Sequence, residues 1–194
     1  MRDSIIRTAF HTTILKTAHL DQDTFVIDEL GLKNGAIRAD IAVLNGSLIG
    51  YEIKTDRDNL SRLIPQVGVY SEIFDKAYII TGKRHLNKIL EKVPKWWGIY
   101  LIEQEDKGLY NFNCLRKSEV NDRKNAYSMA QLLWKEEVIK ILEDYFDCEP
   151  KQSWTRDKLY TLLAEKCDIN TLGNITLGIL KNRQGWRINR QLPL

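Results

Sequence analysis

Residues 37–54, IRADIAVLNGSLIGYEIK, decide the fold, because this stretch predicts a β-hairpin that gathers charged side chains on one face. Two β-rich runs flank Asn45-Gly46, a dipeptide that tolerates the positive φ angles of a tight turn. The period-two alternation of a strand predicts one apolar face, made of Ile37, Ala39, Ile41, Val43, Ile49, Tyr51 and Ile53. The opposite face then carries Arg38, Asp40, Glu52 and Lys54.

The length of the turn decides how the two strands pair. A two-residue Asn45-Gly46 loop would send the two apolar sets to different faces, which excludes it. A three-residue loop, Leu44-Asn45-Gly46 with Gly46 left-handed, keeps the sets together and makes Asp40 and Glu52 diagonal neighbours, about 7–8 Å apart. A bulge elsewhere in the hairpin would serve equally. In either arrangement both carboxylates can reach one metal ion.

Charged groups crowded on a sheet face need a cation or solvent as a partner, since burying them alone is costly. Mg²⁺ typically takes one or two carboxylates, with water and substrate phosphate oxygens completing an octahedron. Lys54, two residues after Glu52 on the same face, is placed to orient an attacking water or to offset charge on a phosphate. The pattern therefore predicts a Mg²⁺ site formed by Asp40 and Glu52.

Asp40 followed by Glu52-Ile53-Lys54 resembles the signature of the PD-(D/E)XK nuclease superfamily, although Ala39 stands where the superfamily name has proline. That position touches no metal ligand. The run Gln66-Val67-Gly68-Val69-Tyr70 resembles the Q-x-x-x-Y element that RecB-like members carry on the following helix. More narrowly, residues 28–58 look like a group of small bacterial and phage proteins assigned to this superfamily.

The resemblance implies an α/β fold with a restriction-endonuclease-like core, in the order α-β-β-β-α-β, whose mixed sheet is flanked by helices. It implies Mg²⁺- or Mn²⁺-dependent hydrolysis of nucleic acid, with DNA the expected substrate by family analogy. The alternative is a non-catalytic nucleic-acid-binding or protein-interaction module on the same fold. The implied catalytic residues are Asp40, Glu52, Lys54, Gln66 and Tyr70.

A third acidic residue is a candidate for the metal site. Glu29 lies on the strand before the hairpin, beside Asp28, and only one of these two neighbours can face the site. We take Glu29 as a further metal ligand, next to Asp40 and Glu52. Asp3 at the start of the first helix is interpreted as a helix cap.

The predicted core spans residues 1–120, and a helical C-terminal subdomain follows over 125–194, after the polar break at 121–125. Three short helices and a basic end could form a helix-turn-helix with a stub of wing, or simply a helical cap. The acidic active face cannot attract a polyanion unaided, so substrate binding is expected to use positive charge elsewhere. The candidate nucleic-acid-binding residues, around Trp186, are Lys181, Arg183, Arg187 and Arg190.

Composition fits one soluble globular protein. The chain has 194 residues, 43% hydrophobic and 28% charged, with a net charge of +3, which permits nucleic-acid binding without requiring it. Its three cysteines have no framework spacing and are expected to be buried thiols in a reducing cytoplasm. No signal peptide or membrane span is predicted. Walker, G-x-S-x-G and G-x-G-x-x-G patterns do not occur, which argues against nucleotide-hydrolysing, acyl-transfer and dinucleotide chemistry.

Overall fold

A mixed six-stranded sheet runs through the computed structural model, which describes residues 3–105 and 109–183. The strands lie side by side in chain order; β3, β4 and β5 are parallel, and the other neighbours are antiparallel. This arrangement confirms the α/β class and the hairpin predicted within residues 37–54. The strands are β1 Phe25–Leu32, β2 Ile37–Leu44, β3 Leu48–Lys54, β4 Lys76–Thr81, β5 Gly98–Gln104 and β6 Tyr110–Arg116.

Along the chain, helices precede the first strand, connect some of the strands and follow the last one. Two precede it, α1 Asp3–Thr12 and α2 Lys16–Leu20, and two connect its parallel strands, α3 Leu63–Ile73 and α4 Leu86–Lys92. Four follow it, where the sequence predicted three: α5 Ala126–Ala130, α6 Lys135–Phe146, α7 Arg156–Lys166 and α8 Ile169–Asn182. Pro65 lies in the first turn of α3, where its missing N–H leaves no helical bond unmade. Within the described ranges, no helix combines the length and apolar character that crossing a bilayer requires.

Both faces of the sheet are buried. The smaller cluster joins α1 to one face, through Ile6 and Phe10 against side chains such as Ile41 and Tyr51. The larger cluster covers the other face and is shared by α3, α4 and the C-terminal helices α5–α8. Trp97, which could in principle stack on a base, is fully buried in it. Glu52 and Lys54 are therefore charged residues set between two apolar layers.

The turn of the β2–β3 hairpin differs from the predicted one. The pairs Ile41↔Tyr51 and Leu44↔Leu48 leave Asn45-Gly46-Ser47 as the loop, so the prediction of Leu44-Asn45-Gly46 was wrong. Gly46, the middle residue of this loop, is left-handed at φ +61°. Relative to the predicted register, the partner of each residue is shifted by two positions. A shift of two leaves every side chain of the hairpin on the same face of the sheet. Asp40 and Glu52 adjoin the last backbone pair of the hairpin, Ile41↔Tyr51.

The predicted apolar face of β2 was wrong in its first half. Ile37 and Ala39 pack with the larger cluster, whereas Ile41 and Val43 belong to the smaller one. The faces therefore reverse at Asp40. In the pairing of β1 with β2, Asp40 and Glu29 lie between the pairs Asp28↔Ile41 and Leu30↔Ala39. Glu29 has φ +57°, a left-handed conformation that breaks the regular pleat. The acidic residues therefore occupy an irregularity in the sheet.

The cysteines are reduced, but only Cys167 is buried. Cys114 is exposed and Cys148 is half-buried, so the prediction of three buried thiols was wrong. Cys114 lies on β6, which pairs with β5 alone among the strands of the described residues. An edge position leaves part of such a strand open to solvent, which sequence spacing does not reveal.

Candidate active site

The site lies where β2 and β3 separate. Backbone pairing between the strands ends at Ile41↔Tyr51, and the Asp40 Oδ2 then accepts the N–H of Ile53 at 2.7 Å. A cavity of about 510 Å³ opens beside this point. It is bounded by α1, by the start of β2, by the end of β3 and by the beginning of α3. Its lining includes Asp40, Glu52, Lys54 and Gln66.

Glu52 is the buried centre of the site, with 1% of its surface exposed. Its Oε1 accepts hydrogen bonds from the Lys54 ammonium and, at 2.5 Å, from Gln66 Nε2. Its Oε2 accepts the Tyr70 hydroxyl at 2.7 Å. The side chains that the sequence places on β3 and on the following helix thus converge on one carboxylate.

Tyr70 is a permanent donor to that carboxylate. Burial and the negative charge of Glu52 raise the pKa of Tyr70 well above its ordinary value. The phenol therefore stays protonated at any physiological pH and fixes the orientation of Glu52. Gln66 differs, because its amide oxygen is buried and has no hydrogen-bond partner among residues 3–105 and 109–183.

Asp40 carries an unusual pKa. Burial, and then the nearby charge of Glu52, raise the pKa of Asp40 to about 7, although the Ile53 N–H and Arg7 act in the opposite direction. About a fifth of the side chain, 22%, is exposed. Asp40 can therefore hold or release a proton near neutrality, unlike an ordinary surface aspartate.

Arg7 of α1 is a site residue that sequence reasoning missed. Its guanidinium lies 2.6 Å from Glu29 Oε1, 3.1 Å from Asp3 Oδ2 and 3.4 Å from Asp40 Oδ1. Burial lowers the pKa of Arg7, but the hydrogen bond to Glu29 and the three carboxylate charges more than offset it, so the pKa is raised. The spacing of four between Asp3 and Arg7 was the one local signal.

Glu29 lines the cavity, whereas its neighbour Asp28 bonds to His11 at 3.0 Å. The Glu29 oxygens face two arginines: Oε1 meets Arg7 at 2.6 Å, and Oε2 lies 3.9 Å from Arg38 Nη1. A metal ion bound by Glu29 would have to share that carboxylate with Arg7 and Arg38.

The donor set at Asp40 and Glu52 suits a small hard cation. A carboxylate offers about four lone-pair positions, of which Glu52 uses three and Asp40 two. Over residues 3–105 and 109–183, no group of three or more His, Cys, Asp or Glu side chains is arranged to hold a metal ion. The chain thus supplies two carboxylates, and water and phosphate oxygens would complete the shell, as Mg²⁺ prefers.

Two of the four C-terminal basic candidates, Lys181 and Arg183, lie in the described part of the chain, and both make intramolecular contacts. Lys181 donates to the Asp23 carbonyl at 2.7 Å. Arg183 is buried, bonds Glu137 and the Leu132 carbonyl, and lies 4.3 Å over the Trp134 ring. The remaining two nucleic-acid-binding candidates, Arg187 and Arg190, lie outside the described residues.

These features define an α/β protein with a buried carboxylate–lysine site at a split in a mixed sheet. The family model described as Bacteriophage P4 protein cII matches residues 4–190, so the chain belongs to that family. Protein cII of Enterobacteria phage P4 is 27% identical over 183 residues, which cover 94% of this chain and 68% of that protein. A protein of unknown function from Silicibacter pomeroyi has 14% identity and a TM-score of 0.42, over 92% of this chain and 90% of that one.

Proposed function

We propose that this protein is a metal-dependent phosphodiesterase that hydrolyses nucleic acid, with DNA the expected substrate. One observation carries the proposal: Glu52 receives Lys54, Gln66 and Tyr70 on its two oxygens, in an open cavity that Asp40 also lines. Fold stability alone does not call for such an arrangement, since apolar residues often replace a buried ion pair without loss. A polar constellation held this tightly at a cavity suits catalysis.

The order of elements supports a restriction-endonuclease-like core. Helix α1 precedes three consecutive strands, β1 to β3, and α3 then leads into β4. This is the order α-β-β-β-α-β that the resemblance implies, with α2 as an addition. The candidate residues occupy the second strand, the third strand and the following helix.

Each residue has a distinct task in this proposal. Asp40 and Glu52 would hold the Mg²⁺ or Mn²⁺, which supplies Lewis-acid activation of phosphate and water. The Lys54 ammonium offsets negative charge that develops on the phosphate. Tyr70 keeps Glu52 in place through its hydroxyl. The Gln66 oxygen, which has no partner within the described part of the chain, would accept a hydrogen bond from the attacking water.

A non-catalytic nucleic-acid-binding or protein-interaction module is the second candidate. It is favoured by Arg7, whose guanidinium supplies positive charge to Asp40 without any metal ion. The intact set of Asp40, Glu52 and Lys54 speaks against it, because a binding module has no need for a buried lysine beside a carboxylate.

Cleavage of a substrate panel separates the two candidates. Labelled linear, nicked, branched and single-stranded nucleic acids would be incubated with Mg²⁺ or Mn²⁺, and in parallel with EDTA. The nuclease proposal expects cleavage of at least one substrate that EDTA abolishes. Binding without cleavage in both metals would favour the module.

A further inference from the structure

The cavity holds more positive charge than the sequence predicted. Alongside its carboxylates it is lined by Arg7, Arg38, Lys54 and Arg62. Arg7 lies on α1, Arg38 on β2, and Arg62 immediately before α3, so the cations flank the carboxylates from separate elements. A polyanion entering this cavity would meet guanidinium groups at its rim, without help from the C-terminal segment.

Two of these arginines face an anion of the chain itself, one in close contact and one farther away. The Glu29 carboxylate receives Arg7 Nη1 at 2.6 Å through one oxygen, and Arg38 Nη1 lies 3.9 Å from the other. Arginine binds carboxylate and phosphate oxygens with the same planar fork. Glu29 reaches this position from a backbone at φ +57°, which is strained for a residue with a side chain. The anion is thus built into the chain at the mouth of the proposed active site.

We propose that the Glu29 carboxylate stands in the place of a substrate phosphate between Arg7 and Arg38. Glu29 is then an internal competitor of the nucleic-acid backbone, and the two arginines are its phosphate-binding partners. This inference rests on the proposed function only in taking nucleic acid as the ligand. It assigns Glu29 to substrate binding and removes it from the metal site.

The contacts of Glu29 with Arg7 and with Arg38 differ in how easily a phosphate could replace the carboxylate. Arg38 has 66% of its side chain exposed, and exposed pairs of this kind contribute little. Arg7 has 15% exposed and is also shared with Asp3 and Asp40. An incoming phosphate would therefore take Arg38 first and then displace Glu29 from Arg7.

The test is DNA binding by the full chain, measured in EDTA so that no cleavage occurs. Fluorescence anisotropy of a short labelled duplex would be followed against salt for the parent and for Glu29→Gln. We expect Glu29→Gln to bind roughly fivefold more tightly and its salt slope to steepen by about 0.9, the value for one additional phosphate contact. Glu143→Gln is the matched control, since it removes the same charge from an exposed position on α6.

A second variant and a second readout keep the inference falsifiable. Adding Arg38→Ala to Glu29→Gln should return affinity to the parent value or below, because the freed arginine is then missing. Mg²⁺ titration by calorimetry should show unchanged or tighter binding in Glu29→Gln. A Mg²⁺ affinity reduced about tenfold or more would place Glu29 in the metal site, as a ligand or as a group that supports one, and would overturn its assignment to substrate binding.

The outcomes also separate this inference from the nuclease proposal. A duplex affinity for Glu29→Gln no higher than for Glu143→Gln overturns the inference, and so does a parent that binds no duplex at low salt. Tighter binding by Glu29→Gln in a protein that cleaves nothing upholds the inference and rejects the nuclease.

Discussion

The carboxylate of Asp40 accepts the backbone N–H of Ile53 at 2.7 Å, where the pairing of β2 and β3 has ended. A side chain thus replaces the strand carbonyl that a continuing ladder would supply, so the strands part without leaving a buried N–H unsatisfied. The same bond holds Asp40 beside Glu52, whose charge helps to raise its pKa.

Asp40 should make stability depend on pH in metal-free solution. Its pKa rises from near 4 in the unfolded chain to about 7 in the folded protein. Its stabilising contribution is therefore complete below pH 4 and is lost as the pH rises through 7. Solvent at the 22% exposed side chain moderates the size of the loss. Denaturant unfolding in EDTA should show the parent losing stability across this window relative to Asp40→Asn. Parallel curves for the two proteins would contradict the raised pKa.

Glu52→Gln should destabilise the protein as well as remove activity. The substitution leaves the Lys54 ammonium, 8% exposed, without its counter-charge. Breaking a buried ion pair from one side typically costs about 3–5 kcal/mol. The free energy of unfolding, from urea titration, should fall by that order. The double variant Glu52→Gln/Lys54→Met should recover much of the loss, and a double variant as unstable as the single one would refute the pairing.

The hairpin could be predicted because it is a local property. Strand alternation and the Asn45-Gly46 turn predict both strands, and either three-residue loop keeps Ile41, Val43 and Tyr51 on one face. Gln66 and Tyr70 followed from their helical spacing and from the family resemblance.

The contribution of α1 could not be predicted in the same way. Arg7 meets Asp40, 33 residues away in the sequence, because Ile6 and Phe10 pack α1 onto the sheet. Such placement depends on tertiary packing, which no local spacing encodes. The reversal of faces at Asp40 could not be predicted either. It coincides with the left-handed backbone of Glu29, and the usual sequence signal for a left-handed residue is a glycine.

Two glycine substitutions should act in opposite directions. A Cβ at Gly50 on β3 would lie 2.7 Å from the Phe74 ring, so Gly50→Ala overpacks the core and should cost about 1–3 kcal/mol. Gly68 on α3 has open space around its Cβ position, and Gly68→Ala should stabilise by about 0.5–1 kcal/mol. Thermal unfolding of both variants measures the difference. Equal shifts in Tm would mean that the Gly50–Phe74 packing is not as described.

The C-terminal basic segment is predicted to contribute to DNA binding independently of the cavity. If Arg187 and Arg190 contact phosphates, the double variant Arg187→Ala/Arg190→Ala should flatten the salt dependence of duplex binding by about 2. It should weaken binding to all sequences alike, since phosphate contacts carry no sequence information. Arg183 is unsuitable for this test, because its guanidinium donates hydrogen bonds to both carboxylate oxygens of Glu137 and its loss would disturb the packing of the helices. A slope unchanged in the double variant would leave the cavity arginines as the main phosphate contacts.

The most direct test of the central claim is single-turnover cleavage by the parent and by Asp40→Asn in Mg²⁺. Asp40→Asn removes a ligand charge yet should fold at least as well as the parent at neutral pH, because it removes an unfavourable buried charge. Its loss of activity could therefore not be ascribed to unfolding. We predict Mg²⁺-dependent, EDTA-sensitive cleavage by the parent and a rate lower by several orders of magnitude in Asp40→Asn. Equal rates in the two proteins, or no divalent-ion-dependent cleavage by the parent, would contradict a metal-dependent phosphodiesterase site at Asp40 and Glu52.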